Sequence, residues 1–287
     1  MLGFLIVFIG HFAYGITNVL WKNPREVVGT FPLIAMRSFG CILIFSIIFA
    51  VCNFYGTIKI PNISFMKFLK IFGLCAINSL GLVFYVTSLK YGNANKVIGF
   101  SKLNIVIWIL ISIFIFREDI STKKIILGLI ITLGIYLIDS SKGFQKIKPS
   151  KALLFTILSR LFWSTAFLFI PDIKEFGILF FCIILELAVF TVSFTISIIN
   201  KNNLEIRQLR VKTQREIVLL IVLGCIGTLS LNFAIAEISI FLFAILALLE
   251  PVVGLIFARI YYQERLEFRQ VLGISLALAS SFVLALY

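Results

Sequence analysis

Ten stretches of roughly twenty residues, rich in apolar side chains and sparse in charge, follow one another with only brief connectors between them. They lie near residues 2–20, 31–52, 68–88, 94–115, 124–138, 152–170, 177–199, 217–236, 239–261 and 270–286. A bilayer core about 30 Å thick takes roughly 17–25 such residues as a helix. The two longest connectors, 139–150 and 200–215, are rich in Lys, Arg, Asn and Ser and leave no room for a soluble domain. Function is therefore expected inside a bundle of membrane helices. With 61% hydrophobic and 14% charged residues the chain lies outside the range of soluble domains. The fifth stretch is short, and Lys123, Lys124 and Lys142 can snorkel to the interfaces around it.

The net charge of +13 is scattered over the connectors and forms no stripe. Membrane lipid headgroups are the expected partner, and nucleic acid is not. The five cysteines sit in or beside apolar runs without CxxC or CxxH spacing, so neither a metal site nor a disulfide framework is expected. Met1–Leu20 lacks a basic n-region and a small-x-small cleavage site and carries His11 and Asn18, so it reads as a first span.

Internal similarity is the next constraint. "FREDISTKKIILGLIITLGIYLI" (116–138) recurs in form as "YQERLEFRQVLGISLALASSFVL" (262–284), with an acid after an apolar run and Gly128 or Gly273 opening the next helix. "HFAYGITNVL" (11–20) aligns with "RLFWSTAFLF" (160–169), placing Tyr14 over Trp163. The expected fold is an all-α polytopic membrane protein of ten transmembrane helices in two five-helix repeats, 1–145 and 146–287. Five is odd, so the second copy is inverted relative to the first about an axis in the membrane plane.

The segment "ALLEPVVGLIFARIYYQERLEFRQVLGISLALASSFVL" (247–284) resembles the second-repeat signature of the EamA-like members of the drug/metabolite transporter superfamily, with its "LEP", a span, a terminal glutamate and a glycine opening the last helix. The resemblance extends more weakly over the whole chain, through the aromatic-Gly/Ser pair of the first span and Arg37. It departs at "SKLNIV" (101–106), where a Pro is often found. The resemblance implies a central cavity lined by spans 1, 3, 4, 6, 8 and 9, and both termini in the cytoplasm. The positive-inside rule instead favours the side carrying Lys142, Lys146, Lys148, Lys201, Arg207, Arg210 and Lys212, which leaves orientation open.

Ionisable groups inside spans cost about 2.5–3.5 kcal/mol each and demand a partner, water or a function. Lys102 and Glu250 lie near the centres of the repeat-equivalent fourth and ninth spans. Together they can neutralise each other, or hold the carboxylate and ammonium of a zwitterion. Arg37 and Glu186 are equivalents at an offset of 149, suited to a structural ion pair, a substrate clamp or, for Glu186, proton coupling. Tyr14 and Trp163 offer flat faces with polar hydrogens to a substrate. Asn104 and His11 are further candidates for a cavity, while Asn78 and Asn232 suit helix-bridging hydrogen bonds. Pro251, directly after Glu250, removes a backbone hydrogen bond and suits a gating bend.

His11 is the single histidine, and no GxSxG, Walker A or GxGxxG occurs, so an enzyme is not expected and no cofactor is called for. The resemblance implies a secondary transporter of amino acids or similar small metabolites, an exporter in the cell membrane, the bacterial inner membrane by expectation. Its driving force would be a gradient or exchange, by alternating access around a midplane site. The expected partners are a small-molecule substrate and membrane lipids, with monomer and homodimer both open. A transporter of phosphorylated sugars or nucleotide-sugars, using Lys102, Arg37 and Arg160, is the alternative, and a lipid-flipping or structural membrane subunit is a third.

Overall fold

The computed structural model describes residues 2–58, 61, 63–100, 122–139, 150–165, 175–200, 209–237 and 249–285. The elements within them are helical: α1 (Leu2–Leu20), α2 (Lys22–Val28), α3 (Thr30–Phe54), α4 (Phe65–Ser88), α5 (Ala94–Phe100), α6 (Thr122–Asp139), α7 (Lys151–Trp163), α8 (Ile178–Ile199), α9 (Val211–Glu237), α10 (Leu249–Tyr261) and α11 (Phe268–Ala285).

Local chemistry sets several boundaries. Ser64 and Ser150 cap α4 and α7, their hydroxyls accepting from Lys67 N at 3.4 Å and Leu153 N at 3.2 Å. The chain bends by 44° between α1 and α2, and Pro24 supplies the cause, because it has no N–H to offer the Leu20 carbonyl. Gly29 (φ 90°) and Gly177 (φ 76°) precede α3 and α8, the second spans of the two repeats. Both take a backbone conformation that side chains with a Cβ rarely tolerate.

Four described helices are long and apolar enough to cross a membrane, Thr30–Phe54, Phe65–Ser88, Ile178–Ile199 and Val211–Phe233, and the bent α1–α2 pair makes a fifth. Shorter apolar helices cover Ile125–Gly134 and Phe268–Ser280. The expected count of ten is thus not established among the described residues, because 101–121, 166–174 and 238–248, which overlap the fourth, sixth and ninth expected spans, lie outside them.

Burial is one-sided along the long helices. On α3, Phe39, Leu43, Ile47 and Val51 recur every fourth residue and stand exposed, a stripe suited to lipid, while Arg37, Ser38, Cys41 and Phe45 are buried. The helix contacts exchange under repeat substitution: α1 on α9 is matched by α7 on α4, α1 on α10 by α7 on α5, and α3 on α9 by α8 on α4. Three contacts map onto themselves, α3 with α8, α5 with α10, and α6 with α11. A two-repeat architecture is therefore present in the packing as well as in the sequence.

Candidate functional site

Two groups of buried polar side chains lie where the repeats meet. In the first, Arg37 of α3 and Glu186 of α8 form an ion pair, with Arg37 Nη1 donating to both carboxylate oxygens, one of them at 2.5 Å. Thr228 of α9 completes it. Its hydroxyl has one proton to give and two lone pairs. The proton goes to Glu186 Oε1 at 3.1 Å, and the lone pairs accept from Arg37 Nη2 at 3.2 Å and from the Tyr14 hydroxyl at 2.9 Å. Thr228 is fully used, and Arg37 keeps only its Nε without a partner. Small residues make the room: a Cβ at Gly224 would stand 2.6 Å from the Arg37 guanidinium, and one at Gly227 2.8 Å from the Tyr14 ring.

The second group begins with His11 of α1, wholly buried, whose Nδ1 lies 2.7 Å from Glu250 Oε1. Glu250 belongs to the first turn of α10 and keeps 21% of its side-chain surface exposed. Gly15 permits this approach, since a Cβ there would meet the Glu250 carbonyl oxygen at 2.8 Å. Pro251 is buried beside Glu250 in α10.

Arg160 lies in the last turn of α7 with 4% exposure. Its guanidinium lies over the Trp163 ring at 4.6 Å and the Tyr85 ring at 5.5 Å. Arg160 and Trp163 share a face because they are three residues apart on one helix, and Tyr85 reaches them from α4, its hydroxyl donating to the Asn18 carbonyl at 2.9 Å. Trp163 rests against Gly81, where a Cβ would come within 2.5 Å of the indole. This is the counterpart of Tyr14 on Gly227: the two aligned aromatics each sit on a glycine of the helix that faces them. Arg160 Nε and Nη2 are buried with no hydrogen-bond partner.

The two groups adjoin. Glu250 acts electrostatically on Tyr14, Tyr85 and Arg160, and Tyr14 also feels Glu186. Of the candidates from sequence, the structure thus brings together His11, Tyr14, Trp163, Glu250 and Pro251, with Arg37 and Glu186 alongside. Lys102 and Asn104 lie outside the described residues, and Glu250 bonds to His11. Asn78 donates to Phe162 O and Thr165 Oγ1, both at 3.2 Å, and Asn232 to Thr228 O at 2.8 Å. Sequence reasoning passed over Tyr85 and Thr228 and noticed Arg160 only for an anionic cargo, although the repeat alignment sets Arg160 opposite His11. Among the described residues no three His, Cys, Asp or Glu side chains assemble into a metal site.

One end of the bundle is tied across the repeats. Lys22 Nζ donates to Glu264 Oε1 at 2.5 Å, and Ala94 N donates to the same oxygen at 3.3 Å. Beside them Glu216 of α9 accepts from Tyr261 at 3.1 Å and Asn23 at 3.4 Å. At the far end of α4 Lys67 pairs with the exposed Glu175.

A two-repeat helical bundle with apolar faces turned outward and paired charges at its centre defines a multi-pass membrane protein. The model of the EamA-like transporter family matches residues 1–139 and 150–286, and the chain belongs to that family of membrane transporters. No protein with a curated function matches it. Among 28 matching chains of solved structure, one titled only "Crystal structure of protein" is 15% identical, covers 99% of this chain and 96% of its own, and superposes with a TM-score of 0.70. That likeness concerns the fold.

Proposed function

We propose that this chain is a secondary active transporter that exports amino acids or similar small metabolites across the bacterial inner membrane by alternating access. The observation that carries the reading is Glu250, a partly exposed carboxylate held by His11 of the other repeat, acting electrostatically on the buried Arg160 guanidinium that lies over the Trp163 and Tyr85 rings. An ion that is expensive to keep in a membrane interior is retained where something must bind it. A site offering an acid and a base together matches a zwitterion, and helices from both repeats around it suit rocking about a central cargo.

The test is uptake and counterflow of radiolabelled amino acids in proteoliposomes of the purified protein. Saturable counterflow that is lost in Glu250→Gln is the expected outcome. Absence of counterflow for every amino acid, with exchange of a phosphorylated sugar, would replace this reading by the anionic-cargo one. The buried cation Arg160 is the feature that favours that second reading. Lipid scrambling without solute transport would replace both.

A further inference from the structure

We infer that the Arg160 guanidinium is the receptor for the cargo's carboxylate, so that the transported molecules are carboxylate-bearing and their neutral amides are excluded. This rests on the transport reading above and deepens it.

Three observations converge. The first is an accounting of charge. Glu186 is bonded to Arg37 and Thr228, and Glu250 to His11, while no hydrogen bond among the described residues brings an acid onto Arg160. Buried guanidinium groups without a bonded counter-ion are costly, and a fixed fork of N–H donors fits a carboxylate bidentately. The second is geometry. Trp163 and Tyr85, whose rings lie 5.5 Å apart and 30° from parallel, both lie to one side of the guanidinium, so it is oriented by cation–π contact while its Nε and Nη2 stay unspent. Stacking leaves the N–H groups at the guanidinium edge available to a ligand.

The third is the repeat. Adding 149 takes His11 to Arg160, Tyr14 to Trp163 and Arg37 to Glu186. The second repeat supplies Glu250 to His11 of the first, whereas among the described residues no acid of the first repeat is hydrogen-bonded to Arg160, the residue aligned with His11. Among the described residues that asymmetry leaves the Arg160 donors open to the carboxylate of a cargo. Glu250, within electrostatic reach of Arg160, then stands where the ammonium of the same molecule would be held. At 4% exposure, Arg160 is reached only when the helices around it part, which alternating access supplies.

The experiment compares wild type, Arg160→Gln and Arg160→Lys in detergent, measuring thermal stabilisation by each of the twenty standard amino acids and by its α-amide, with glucose 6-phosphate as a third probe. The expected result is stabilisation of wild type by one or more amino acids but not by the matching amides. The apparent affinity should fall on the order of 10- to 100-fold in Arg160→Gln, as for a lost charge-assisted bidentate contact. Arg160→Lys, which keeps the charge and loses the fork, should fall between the two. The acid-against-amide comparison needs no variant, so a poorly folding Arg160→Gln leaves the inference exposed to refutation. An amino acid that binds as well as its amide, and equally well to both variants, overturns the carboxylate assignment while transport stands. Stabilisation by glucose 6-phosphate alone overturns the carboxylate class together with the amino-acid reading, and so does a wild type that no amino acid stabilises.

Discussion

Two buried arginines of this protein, one from each repeat, sit in opposite states of satisfaction. Arg37 is bonded to a carboxylate and a hydroxyl, and the hydroxyl is itself saturated. Arg160 lies over two neighbouring rings with Nε and Nη2 left over. A cation whose donors are consumed by its own fold holds helices together, whereas one oriented but unconsumed keeps donors for the proposed cargo. The difference should be measurable as stability in one case and as binding in the other.

The largest effect belongs to the saturated site. Glu186→Gln leaves Arg37 charged and buried without its counter-ion, and breaking such a pair costs about 3–5 kcal/mol. Urea unfolding in detergent should show that loss, and Arg37→Met combined with Glu186→Leu should recover most of it, since an apolar pair of similar volume removes both charges. Arg160→Gln should change stability by less than about 1 kcal/mol, because the lost cation–π contacts are offset by removal of a buried charge with no hydrogen-bonded counter-ion among the described residues. Equal losses at the two arginines would erase the distinction.

The aromatic seats test whether the repeats are equivalent in packing although unlike in charge. Gly227→Ala places a methyl 2.8 Å from the Tyr14 ring, and Gly81→Ala one 2.5 Å from the Trp163 ring. Each should destabilise by about 1–3 kcal/mol through overpacking. The Gly81 substitution should also weaken cargo binding by moving Trp163, and with it the face on which Arg160 rests. Thermal unfolding with and without ligand separates the two effects. Thr228→Val comes next, at about 1–2 kcal/mol, because it withdraws one donor and two acceptors from a buried network while conserving shape.

Much of this arrangement was legible in the sequence, for identifiable reasons. Membrane spans announce themselves because lipid demands long apolar runs. The offset of 149 linked Arg37 to Glu186 and Tyr14 to Trp163 because repeats keep equivalent residues at equivalent depths. Which neighbour a charged side chain meets depends on the rotation of each helix about its own axis. That is why the bond of Glu250 to His11 could not be read from helix spacing, while Lys102 lies outside the described residues. Thr228 gave no signal, since one threonine in an apolar helix commonly bonds back to its own backbone. Arg160 was visible as a charge, but what distinguishes it is a missing partner, and only a fold can show that.

The smallest expected effect contrasts the two ends of the bundle. Glu264 has 7% of its side-chain surface exposed and accepts from both Lys22 and the Ala94 backbone, whereas Glu175 is 55% exposed and pairs with Lys67 alone. Glu264→Gln should cost about 1 kcal/mol, because the Lys22 ammonium loses its counter-ion where water reaches it poorly. Glu175→Gln should stay within about 0.5 kcal/mol of wild type, since an exposed pair gains little and is screened by salt. Raising salt should remove what remains of the Glu175 effect and leave most of the Glu264 effect in place. If the tie joining α2, α5 and the α10–α11 connector closes one side of the transporter, Glu264→Gln should also speed counterflow while Glu175→Gln does not. Unchanged counterflow in both would confine the tie to stability.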